Sequence, residues 1–204
     1  MSVEQQAPER VSDRLDRWLA GDGPKTLGGL IDTFGGGSFA IIFVLLMAVP
    51  ALPLPTGGVT HVFEVITMLL ALELIVGRQR VWLPRRWRGL ELSGNSRRRF
   101  IDTLLRRIRG LERFSHPRGR RLFGHRLSGS AFGLVILALA LTAFLAPPFS
   151  GLDTLPSIGV VVLALGYLLT DVALVAIGAL IGLLGVASVV FLGSFAVKLA
   201  NSIF

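Results

Sequence analysis

The sequence predicts an all-α, polytopic membrane fold, and three observations carry that reading. Charge is absent from Thr33 to Phe63, from Leu127 to Leu152, from Thr154 to Thr170 and from Val172 to Val197. A helix that crosses a bilayer needs about 20 mostly apolar residues, and these runs supply that length. Two Pro/Gly breaks interrupt the apolar sequence at matching positions. Leu52-Pro53-Leu54-Pro55-Thr56-Gly57-Gly58 is the first, and Ala146-Pro147-Pro148-Phe149-Ser150-Gly151 is the second. At an offset of 94 residues Pro53 meets Pro147, Thr56 meets Ser150, Gly57 meets Gly151 and Thr60 meets Thr154. The third observation is a block of arginine. Residues 78–126 hold 16 of the 21 basic residues, all Arg, against only Glu91, Asp102 and Glu112.

Bulk composition agrees. Charged residues make up 17% of the 204 and hydrophobic ones 52%, with a mean hydropathy of +0.67. Soluble domains carry about 25% charged residues. The absence of Cys removes disulfides, thiolate metal sites and cysteine nucleophiles. The net charge of +8 lies mostly in the arginine block. Between apolar spans such a block reads as a cytoplasmic, positive-inside loop near anionic lipid headgroups, not as a nucleic-acid surface.

Taken in order, residues 1–37 read as a cytoplasmic amphipathic leader. Its first 18 residues are polar where a signal peptide has an apolar core, so internal segments must drive insertion. Val11, Leu15, Trp18 and Leu19 form one helical stripe. Arg10, Arg14 and Arg17 lie off it, which suits the membrane surface and equally an ordinary helix packed on the rest of the chain. Gly35-Gly36-Gly37 is expected to end the leader flexibly.

Residues 38–77 form a first broken hairpin, with apolar segments at 38–54 and 59–76. Residues 78–126 are a basic connector. In it Ser96 is placed to cap an interfacial helix whose apolar face is Phe100, Ile101, Leu104, Leu105, Ile108 and Leu111. Residues 127–204 form a second broken hairpin, with apolar segments at 129–146 and 155–169, and a C-terminal transmembrane helix over 172–197. The whole is a single membrane domain. The segments after each break are short, which leaves tilted spans and re-entrant half-helices both open. Gly178 and Gly182 give the final helix a small-xxx-small spacing, and we expect a homodimer built partly on them.

A break at membrane depth survives only where protein buries it or water reaches it. Paired breaks in corresponding halves point to a central site. A helix beginning there aims free N–H groups and its positive dipole end at the break, which suits an anion or a polar headgroup. The bland alternative is that the breaks pack together and bind nothing, with Thr60 and Thr154 as N-caps.

The candidate binding residues are Pro53, Pro55, Thr56, Gly57, Gly58, Thr60, His61, Glu64, Pro147, Pro148, Ser150 and Gly151. Ionisable residues at depth are expensive and functional by default. His61 and Glu64 share a helix face and form a proton-sensitive pair. Glu73 is placed near Arg78 at the interface, Asp153 in a loop or cap, and Asp171 either deep or at a turn.

HExxH and GxSxG are absent, and Gly21-Asp22-Gly23-Pro24-Lys25-Thr26 lacks the glycine that a phosphate loop has before its Lys. With three histidines, little remains for a metal site. No cofactor, and no enzymatic role, is expected.

Residues 52–87 carry a further signal: Leu52-Pro53-Leu54-Pro55-x-Gly57, an apolar helix ending at Gly77-Arg78, and Arg80 followed by Trp82-Leu83-Pro84-Arg85. Together with Leu27-Gly28-Gly29-Leu30-Ile31 and the second Pro-Pro break, they make the chain resemble the ExoD family of bacterial membrane proteins. Thr56 stands where the family pattern has proline, and Glu73 where it has Gln. The resemblance implies a multi-pass inner-membrane protein linked to exopolysaccharide synthesis, with polysaccharide-biosynthesis proteins as partners. The residues at the breaks favour a transport-like or lipid- and anion-handling role. The rival is a non-transporting scaffold or regulator of the same machinery.

The arginine block generates a topology prediction. Cysteines introduced at Ser96 and Ser115 should react with an impermeant thiol reagent only from the cytoplasmic side. Labelling from the outer side of the native membrane would sink the positive-inside assignment.

Overall fold

The computed structural model describes residues 10–21, 23, 25–52, 59–78, 80–82, 84–89, 106, 109, 110, 112, 126–147 and 150–203. Every regular element among them is helical. They are α1 (Val11–Ala20), α2 (Leu27–Phe34), a 3-10 turn (Gly35–Gly37), α3 (Ser38–Met47), α4 (Val59–Ile75), α5 (Arg85–Arg88), α6 (Arg126–Leu145), α7 (Thr154–Leu168) and α8 (Val172–Ile203).

The first correction concerns the three glycines. They do not end a leader flexibly. Thr26 caps α2 by accepting from Gly29 N at 3.2 Å. Gly35 closes that helix at φ +51°, a backbone conformation that favours glycine. Ser38 Oγ then donates to Gly35 O at 2.6 Å, and α3 begins at once. Leu27–Met47 is therefore one apolar rod of 21 residues, long enough to cross a membrane, and it starts eleven residues before the expected boundary at residue 38. Upstream, α1 packs on this rod: Leu15 is buried, and the Arg14 guanidinium lies 5.0 Å from the Phe34 ring centre.

α3 has no polar face. Phe39, Ala40, Ile41, Phe43, Val44 and Met47 are all buried, as expected for a helix that is apolar all round. It packs against α4 and α7. α4 and α6 run antiparallel. Ser130 Oγ, near the start of α6, donates to Ile75 O at the end of α4 at 3.0 Å. At the opposite end the His61 and Phe144 rings meet edge-on at 5.3 Å. His61, just after the first break, and Phe144, just before the second, thus lie at one end of the bundle, and the end of α4 lies at the other.

α7 and α8 form the tightest pair. The chain reverses at Thr170, at φ +53°. Asp171 then accepts from Ala173 N at 2.8 Å and from Leu174 N at 3.4 Å, so it marks a turn and caps α8. Glycines let the two backbones touch. A Cβ on Gly159 would stand 2.5 Å from Gly182 Cα, and one on Gly185 would stand 2.5 Å from Pro156 N. Beyond Gly185 α8 leaves α7 behind and continues helically to Ile203.

This packing corrects the expected role of Gly178 and Gly182. Both are buried: a Cβ on Gly178 would collide with the Leu163 backbone, and one on Gly182 with the Leu139 side chain. They join helices within the protomer.

Outward positions are apolar as well. Val62, Leu69, Leu134, Leu141, Leu180, Leu183 and Phe191 are all exposed, a set of outward apolar side chains that suits hydrocarbon better than water. Among the described residues three helices are long and apolar enough to cross a membrane: Leu27–Met47, Leu127–Leu145 and Val172–Ser194. Thr154–Leu168 is shorter.

Gly178→Leu should cost about 1–3 kcal/mol or more by overpacking α8 on α7, and Gly182→Leu a similar amount by overpacking α8 on Leu139 of α6. A fall of several degrees in the detergent melting temperature measures this, with Leu180→Ala on the exposed face as a mild control. Unchanged melting with separated subunits would return these glycines to an intermolecular role.

Candidate functional site

The inward face of α4 carries a polar stripe in an apolar interior. Thr60, Glu64 and Thr67 lie at i, i+4 and i+7, and Ala71 and Leu74 continue the line. Thr60 is buried, and Glu64 and Thr67 are completely so. Around them α3 and α6 contribute Phe43, Met47, Ile136 and Ala140 to the core.

Glu64 has one partner for two oxygens. His61 Nδ1 lies 2.7 Å from Oε2, whereas Oε1 and the Thr67 hydroxyl have none. A buried polar group left unsatisfied costs about 1–3 kcal/mol, and more when charged, so two orphans one helical turn apart are an expensive arrangement. The His61 side chain is 27% exposed. It links the exposed break end to the buried carboxylate. Asp153, just before α7, is near enough to act electrostatically on Glu64. Residues flanking both breaks therefore converge on His61 and Glu64.

Pro53, Pro55, Thr56, Gly57 and Gly58 lie outside the described residues, as does Pro148. Pro147, Ser150 and Gly151 are exposed. Ser150 Oγ donates to Pro147 O at 2.6 Å and accepts from Leu152 N at 3.2 Å, and Gly151 turns the chain at φ +68°. The second break thus closes on its own backbone. Thr60 lies inside α4, and Thr154 is the first residue of α7, whose cap is Asp153. Neither threonine is an N-cap. Ser157, also completely buried, donates to Asp153 O at 2.6 Å. Thr67 and Ser157 were missed by the sequence reading. The i, i+4, i+7 spacing from Thr60 would have found Thr67.

The family-pattern residues sit at the other end of α4. Arg78, Arg80, Trp82, Pro84 and Arg85 are exposed, Val81 between them is buried, and Leu83 lies outside the described residues. Glu73 anchors this segment: Oε2 accepts from Trp82 N at 3.0 Å, and Oε1 is 3.9 Å from Arg78. Arg88 grips Asp32 of α2 through both carboxylate oxygens, at 2.8 and 3.0 Å.

Further along the connector, the apolar face expected for an interfacial helix lies outside the described residues. Arg106, Arg109, Gly110 and Glu112 are helical. Arg109 pairs with Asp16, and Glu112 accepts from Ser12 N at 3.1 Å. The hydrogen bond and charge of Asp16 hold the Arg109 proton more firmly than usual. Arg14, Arg17, Trp18 and Thr33 line a cleft of about 400 Å³ at this end. No cluster of three or more His, Asp or Glu able to hold a metal occurs among the described residues.

The fold and this stripe define a helical membrane protein with a polar centre near one end of its bundle. A family described as "Exopolysaccharide synthesis, ExoD" matches residues 11–191, and the chain belongs to that family. It is similar to a Synechocystis sp. protein described as uncharacterized, at 29% identity over 128 residues, or 63% of this chain. The match spans 59% of that relative's length. No solved structure matches.

Glu73→Ala should cost about 1 kcal/mol, below the range of about 1.5–3 kcal/mol for a bond to a charged acceptor because the contact is partly exposed. It should also speed proteolysis near Trp82. Glu73→Gln keeps an acceptor oxygen and should leave both nearly unchanged. Equal losses in the two variants would mean that charge, not the Trp82 bond, holds this segment.

Proposed function

We propose that this chain is a multi-pass inner-membrane protein of exopolysaccharide synthesis with a transport-like or lipid- and anion-handling role at its two breaks. Glu64 carries the proposal: it is fully buried, half-partnered and reached from the break end through His61. A scaffold has no need of an acid in such a place, because burying one without full hydrogen bonding only costs stability. Family membership supplies the process.

In this reading the residues of both breaks line one site, with Glu64 tuning it, and the role is non-enzymatic. The two halves are repeat-related, and α4 and α7 are its short, re-entrant arms. At about 25 Å and 22 Å by helical rise, both fall short of a roughly 30 Å hydrocarbon core. The connector and the α1 cleft face anionic lipid and the polysaccharide-biosynthesis proteins. A homodimer would use the outward face of α8, with Ile177, Leu180, Leu184 and Phe191.

Glu64→Gln and Gly57→Leu should each abolish exopolysaccharide production in a deletion strain while protein level and assembly stay normal. Gln keeps the shape of the acid and removes its charge, and Leu adds bulk at a break. Normal production from both variants would favour the non-transporting scaffold or regulator.

A further inference from the structure

We propose that His61 and Glu64 form a proton relay, with His61 as the port at the break end, Glu64 as the buried stop, and Thr67 as the anchor of an internal water that exchanges with the Glu64 proton. The inference rests on the transport-like reading and names its coupling ion.

The geometry selects a proton over a metal ion. Hard cations gather six or more oxygens, and the stripe offers two that are free, Glu64 Oε1 and Thr67 Oγ1. A proton needs one donor and one acceptor, and His61 Nδ1 and Glu64 Oε2 stand 2.7 Å apart. In the transfer the Nδ1–H bond breaks and an Oε2–H bond forms. An imidazolium–carboxylate pair becomes neutral imidazole and carboxylic acid, and Nε2 keeps its hydrogen. The imidazole edge is partly exposed and can be recharged from water.

The two orphan atoms are Glu64 Oε1 itself and, one turn deeper on the same face, Thr67 Oγ1. One water between them would satisfy both, which is the usual role of buried water. Further along that face stand Ala71 and Leu74, both buried, so the polar line ends. A proton that arrives has no onward path in this conformation, which separates a coupled carrier from an open wire. Among the described residues only Asp153 adds a titratable group near the pair. The described parts of α3 and α6 that pack on α4 carry none.

The test uses the purified full-length protein in nanodiscs. Infrared difference spectra follow the Glu64 carboxyl band, assigned by Glu64→Gln, and the His61 ring bands, assigned by His61→Gln, from pH 5 to 9. Groups coupled this closely titrate as a pair. The two signals should change over the same pH interval, and His61→Gln should move the Glu64 midpoint by about one pH unit or more. Thr67→Val should slow deuterium exchange of the Glu64 proton several-fold.

Gel filtration and thermal melts show whether each variant is folded. A Glu64 band that never titrates, or one indifferent to His61→Gln in a folded protein, overturns the relay. Coupled titration in a protein whose Glu64→Gln variant still restores exopolysaccharide production keeps the relay and overturns the functional reading beneath it.

Discussion

The structure depends on one constraint: a chain with so little charge must satisfy its backbone from within. An unpaired peptide group in hydrocarbon costs several kcal/mol, so several changes of direction among the described residues draw on nearby side chains or glycine. Ser38 bonds to Gly35 at the first junction. Ser150 bonds to Pro147 and Leu152 at the second break. Asp171 takes the free amides at the head of α8. These small polar residues finish helices, and their presence in apolar sequence needs no ligand to explain it.

That is why Glu64 and Thr67 stand apart. They sit mid-helix, where the backbone is already paired, and part of their bonding capacity is unused. The same logic that removes Asp171 from the functional candidates leaves Glu64 among them. Glu73 falls on the structural side, because its two oxygens hold the segment from Arg78 to Trp82.

Much of this was legible in the residues. Uncharged runs gave the helices. The spacing of His61 and Glu64 gave a pair that the structure brings to 2.7 Å. The misreadings share a cause: glycine has more than one use, and sequence alone does not say which. Gly35-Gly36-Gly37 looked like a flexible stop and is a tight turn inside one rod. Gly178 and Gly182 looked like a surface for another chain and face Leu163 and Leu139 of their own. Which neighbour a small residue admits depends on tertiary packing, and no local pattern encodes it.

The unequal lengths of α7 and α8 have a mechanical consequence. α8 has 32 residues and α7 has 15, so the longer helix reaches about 48 Å by helical rise. Its apolar stretch, Val172–Ser194, meets hydrophobic mismatch in a thin bilayer, and tilt is the ordinary relief. α8 cannot tilt alone, because Gly159 and Gly185 hold it backbone to backbone against α7. A tilt of α8 would therefore carry α7 with it, and with α7 the Asp153 that precedes its first turn.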